Sequence, residues 1–119
     1  MPVSIFLIAS ISLFYAPWSI SWLYNESYKY HANQEYDEAK IVYRKILEKD
    51  SKNTFAKQNL TQIEIHELSI KANNLFDSQE FDSAKVMYKK ILVLDSKSTF
   101  ALENLKLLEE ERIEKESQK

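Results

Sequence analysis

Apolar and polar positions follow two regimes along the chain. Residues 3–24 run without a charge, and the first Lys, Arg, Asp or Glu is Glu26. Beyond it, apolar residues recur every three or four positions in a polar background. Tyr36, Ala39, Tyr43, Ile46 and Leu47 fall at that spacing, and so do Phe81, Ala84, Tyr88, Ile91 and Leu92. Each set predicts one face of a helix of about three to four turns. The stretch Thr54 to Asp77 contains no Gly or Pro. It predicts a single long helix whose buried stripe is Leu60, Ile63, Leu68, Ala72 and Leu75. Thr99 to Ser117 predicts a closing helix with Leu102, Leu105 and Leu108 inward and a nearly all-charged end beyond Glu109. Asp50-Ser51-Lys52 and Asp95-Ser96-Lys97 read as polar turns, and Asp37 and Asp82 are placed to cap helix N-termini.

The uncharged segment is long enough, as a helix of roughly 1.5 Å per residue, to cross a bilayer core. Tyr15, Trp18, Trp22 and Tyr24 cluster at one end, where interfacial aromatics are expected. Pro17 would kink or end the helix near Ala16. The expectation is therefore a single-pass membrane anchor over residues 1–24, contacting lipid through residues 3–24, with its orientation undetermined. Two alternatives stand beside it. One is a secretory signal cut near Ser21, with Ser19 and Ser21 as the small flanking residues. The other is a buried helix of a larger core.

A shift of 45 residues aligns Gln34–Leu60 with Gln79–Leu105, with identity at 17 of 27 positions. Such self-similarity predicts a repeat architecture. The shared residues resemble the tetratricopeptide repeat, a pair of antiparallel helices. They are Ser27 and Ala72, then Tyr30 and Leu75, then the runs Tyr36-Asp37-Glu38-Ala39 and Phe81-Asp82-Ser83-Ala84. Tyr43 and Tyr88, the pairs Ile46-Leu47 and Ile91-Leu92, Asp50 to Ala56, Asp95 to Ala101, Asn59-Leu60 and Asn104-Leu105 complete the likeness. Repeats fall at about 21–53 and 65–98, within a helical domain of residues 25–119 closed by a capping helix at 99–117. The family's turn Gly is replaced by Gln34 and Gln79, its Pro by Ser51 and Ser96, and its small Ala by Ile46 and Ile91. The period also exceeds the family's by 11 residues, or three turns plus about 20° of helix, which keeps one face inward. The expected fold is all-α: an N-terminal transmembrane helix, antiparallel helical hairpins and a C-terminal capping helix.

Composition narrows the chemistry. The chain has no Gly and no Cys. Zero Gly argues against tight β-hairpins and phosphate-cradling loops. Zero Cys excludes disulfides, thiolate catalysis and cysteine-ligated zinc. A net charge of −2 gives no footprint for nucleic acid. His31 and His66 sit on different predicted helices and make no metal set. No catalytic constellation is present, so the expectation is a protein that is not an enzyme and needs no cofactor. The resemblance implies a concave surface that binds a peptide or helix. Carried over by position, it would hold Tyr24, Tyr28 and His31, then Asn73 and Phe76, then Phe100 and Glu103. Tyr24 and Ala32 stand where the family's basic carboxylate clamp would be. The expected function is a membrane-tethered scaffold or assembly factor that binds a partner protein. The alternative is a small accessory subunit built into a larger membrane complex.

Overall fold

The computed structural model describes residues 19–119, and these fold as five α-helices, with no strand among the described residues. The helices are α1 (Ile20–Ala32), α2 (Tyr36–Lys49), α3 (Thr54–Asp77), α4 (Phe81–Leu94) and α5 (Thr99–Ser117). The 24 residues of α3 contain no Gly or Pro, so nothing in the stretch interrupts the helix. The chain divides into two compact units, one ending at Leu60 and one spanning Thr61–Lys119. That boundary is the end of the first repeat copy.

Both units close their first turn in the same way. The N–H of Gln34 donates to the His31 carbonyl at 3.0 Å, and that of Glu35 to Tyr30 at 2.9 Å. Gln79 and Glu80 repeat this with Phe76 and Leu75, both at 2.9 Å. This is the Schellman pattern, in which two orphan helix carbonyls gain donors if the residue after the cap turns left-handed. Gln34 and Gln79 do so, each with φ of 61°. The conformation that usually calls for glycine therefore sits at the two positions where the resembled family has it.

The second turns also match. Asp50 Oδ1 accepts from the N–H of Lys52 at 3.3 Å, and Asp95 Oδ1 from Lys97 at 3.1 Å. Asn53 Oδ1 then caps α3 by accepting from the Ala56 N–H at 2.9 Å. Ser98 Oγ caps α5 through Ala101 at 3.3 Å. Asp37 and Asp82 stand at helix N-termini, as expected, although neither is the N-cap residue itself. Both lie one residue inside their helices, and Asp37 instead pairs with Lys40 at 3.0 Å. They still place negative charge in a first turn, where the helix dipole favours it.

The periodic positions form the cores. Ala39, Tyr43 and Ile46 are buried in the first unit, joined by Val42, which the spacing had not included. In the second unit Ala72, Ala84, Met87, Tyr88, Ile91, Ala101 and Leu108 form one cluster, with Leu68, Leu75 and Leu105 packed against it. Leu102, expected to face inward, is exposed. It lies about a sixth of a turn round α5 from Leu105 and about a third of a turn from the buried Leu108.

The membrane anchor is also corrected. No helix among the described residues is long and apolar enough to cross a membrane. The described end of the uncharged segment, from Ile20 to Tyr24, opens the 13-residue α1. Ser19 caps that helix by accepting from the Trp22 N–H at 3.2 Å, and Leu23 is buried. Asn25 and Glu26 follow at once, so α1 is amphipathic and its apolar side serves the protein core. Ser21, the expected cleavage point, lies in the first turn of α1. The remainder of the proposed span, residues 3–18, lies outside the described residues.

Candidate protein-binding surface

In the first unit, one apolar side chain gathers the candidate residues. Phe55, in the first turn of α3, lies 5.3 Å from the ring of Tyr24 and 5.4 Å from that of Tyr28. It also lies 5.8 Å from the buried Tyr43, and all three rings are tilted or edge-on to it. Edge and tilted arrangements bring positive ring edges to negative ring faces, worth about 0.5–1.5 kcal/mol per pair beyond burial. Tyr28 is the outermost ring, 62% exposed.

Hydrogen bonds fix the ring orientations from below. Asn53 Nδ2 donates to the Tyr24 hydroxyl and, at 3.2 Å, to Asp50 Oδ2. The buried Ser27 Oγ donates to the Tyr24 carbonyl at 2.8 Å. His31 Nδ1 and the Tyr43 hydroxyl share a hydrogen bond of 2.9 Å. The His31 ring stands edge-on to Tyr36 and Tyr43, at 5.7 and 6.1 Å. Burial pushes the Tyr43 phenol above its ordinary pKa, and the nearby Ser27 hydroxyl partly offsets this. Tyr43 is therefore a neutral phenol in the working range, a structural donor or acceptor rather than a reactive group.

The second unit keeps the frame and changes the surface. Phe100 replaces Phe55 and lies 5.9 Å from Tyr88. Asn73, at the register of Tyr28, accepts from the Tyr88 hydroxyl at 3.0 Å, and Asn104 Oδ1 lies 3.5 Å from the same hydroxyl. Burial raises the Tyr88 pKa, and the charge of Asp77 adds to the rise. The Phe76 ring lies tilted against that of Phe81 at 5.5 Å and packs against the core. Glu103 is exposed on α5.

Tyr24, Tyr28 and His31 are thus brought together in the first unit. Phe76 and Phe100 serve the second unit's core, which makes them poor contact residues. Asn73 satisfies a buried tyrosine. Phe55 and Asn53 were missed by the sequence reading. The 45-residue register pairs Phe55 with Phe100, so the repeat itself carried the signal for Phe55.

A separate pocket of about 450 Å³ in the second unit is lined by Gln79, Phe81, Asp82, Arg112 and Glu116. The Lys115 ammonium reaches Gln79 Oε1 and lies 5.2 Å over the Phe81 ring. Its lining offers no nucleophile with an adjacent base. No group of three or more metal-ligating side chains is found among the described residues.

Compared with protein-family models, curated proteins and solved structures, the chain gives no match. The likeness to tetratricopeptide repeats therefore rests on the residues quoted above.

Proposed function

We propose that the chain is a protein-binding module, built from two divergent repeats of the tetratricopeptide type, that captures a partner through the first unit. The observation that carries this is Tyr28. A large aromatic ring stands mostly in water, yet it rests on Phe55 beside rings whose hydroxyls are held by Asn53 and His31. Such a ring loses little freedom on binding and offers a large apolar face, the features of an interface anchor. The partner is a peptide or helix carrying an apolar side chain to cover that ring.

The test is capture by the full-length chain in parallel with a Tyr28→Ala variant. Retention should fall by tenfold or more, the loss of roughly 1.4 kcal/mol or more expected for an aromatic anchor. The urea midpoint should fall only modestly, by the equivalent of about 0.5–1.5 kcal/mol for the Tyr28–Phe55 ring pair, because most of Tyr28 is exposed. Equal retention by both chains would sink this reading.

A second reading, a small accessory subunit held permanently in a larger assembly, is supported by the bare apolar side chains of the second unit. Val93 is 85% exposed. A permanent subunit would not exchange with added free chain over hours, whereas a capture module would.

A further inference from the structure

The second unit presents two exposed helix faces of opposite charge. On α4, Val86 and Val93 are seven residues apart, close to two turns, and share a face. Both are exposed. Lys89 and Lys90 lie between them, exposed as well. On α5, Leu102 and Ile113 are eleven residues apart, about three turns, and likewise share a face. Ile113 is 58% exposed. Residues 109–116 around it hold five Glu against Arg112 and Lys115, a net charge of 2 − 5 = −3.

The two faces carry the same pattern with opposite sign. Lys89 and Lys90 precede Val93 by four and three residues. Glu109 and Glu110 precede Ile113 by four and three residues. Laid side by side in parallel register, valine meets isoleucine and each lysine meets a glutamate. The unit already contains one such contact within a single chain, Lys85 Nζ to Glu109 Oε2 at 3.9 Å.

Register adds a second argument. The closing helix of a repeat array needs a polar outer face. Ile113 stands 45 residues after Leu68, and Leu68 is packed against the second unit's core. Counted from the matching helix starts Thr54 and Thr99, α3 covers this position and α5 leaves it bare.

We propose that a second copy of this chain covers these surfaces, with the Val86–Val93 face of α4 in one copy lying on the Ile113 face of α5 in another. Each copy supplies both the basic and the acidic member, so complementarity is complete without a third molecule. Tyr28 takes no part, so partner capture and self-association are separable.

The absence of native cysteine makes the test clean. Val93→Cys and Ile113→Cys are prepared as two full-length single variants, mixed and gently oxidised, and the cross-linked peptides are identified by mass spectrometry. The expected product joins position 93 of one chain to position 113 of the other. Adding Lys89→Glu and Lys90→Glu to the first variant should cut its yield about tenfold, the effect of placing like charges across the contact. Adding Glu109→Lys and Glu110→Lys to the second variant should then restore it. Cross-links confined to chains of the same variant, no cross-links at all, or a yield indifferent to charge reversal would each overturn the proposal.

Discussion

Tyr43 and Tyr88 occupy the same position in the two repeat copies, and each buries its ring completely while its hydroxyl finds a polar side chain. The satisfying partner differs: His31 in the first unit and Asn73 in the second, three residues earlier in register. Burial raises both phenol pKa values above the ordinary 10.0. The native state therefore holds these protons to higher pH than the unfolded chain does. Above pH 10 the unfolded chain binds fewer protons, and stability falls as pH rises through the native values. Each tyrosine contributes at most about 1.4 kcal/mol per pH unit over that window. Urea midpoints measured from pH 9 to 11 should stay level up to about 10 and fall beyond it. A Tyr43→Phe/Tyr88→Phe variant should start lower at neutral pH, by about 1 kcal/mol for each lost hydrogen bond, and then fall less steeply. An equal alkaline slope in both proteins would rule out the two phenols as its source.

Helix ends are the elements in which this chain departs furthest from its own local preferences. A chain without glycine must still turn left-handed after α1 and α3, and it does so at Gln34 and Gln79. A side chain at positive φ costs about 1–2 kcal/mol, because Cβ crowds the following carbonyl. The two hydrogen bonds of each Schellman turn, and the packing of α1 and α2 on either side of the first, hold that conformation in place. Gln34→Gly should relieve the crowding. Against it stands the extra freedom glycine gives the unfolded chain, about 0.5–1 kcal/mol. The expected net gain is about 0.5–1 kcal/mol, read as a higher urea midpoint at unchanged slope. Trp22 lies in α1 of the first unit. With Trp18→Phe in both proteins, the fluorescence of Trp22 reports that unit, where the gain belongs. Gln79→Gly should gain less, because the Gln79 side chain accepts from Lys115. A midpoint lowered by Gln34→Gly would mean that the glutamine side chain contributes more than its backbone costs.

At the scale of the whole molecule, the repeat made most of the fold legible. The 3.6-residue period placed Ala39, Tyr43, Ile46 and their second-copy partners in the core, and the repeated polar turns, not Gly or Pro, marked where α3 begins and ends. The uncharged stretch misled, because absence of charge says nothing about where a helix starts. The informative signal was local: Ser19 three residues before the Trp22 amide it caps, then Leu23 and the small Ser27, four residues apart on the buried side of α1. The candidate surface was half legible. Tyr24, Tyr28 and His31 follow from register, but whether an aromatic faces water or core depends on the neighbouring helix, which register does not supply. Phe76 and Phe100 were lost to the core for that reason, and Val93 and Ile113 were left in water. Those two bare side chains make a prediction about stability itself. Self-association through α4 and α5 binds the folded chain and not the unfolded one, so it must raise stability with concentration. For a two-copy assembly, raising the concentration from about 1 to 100 μM adds RT ln 100 per pair, or about 1.4 kcal/mol per chain. The melting temperature of the native chain should therefore climb over that range. In a Lys89→Glu/Lys90→Glu variant it should stay flat, because those side chains are exposed and their loss removes only the contact between copies. A native melting temperature independent of concentration would leave Val93 and Ile113 bare in solution and remove self-association as the reason for their exposure.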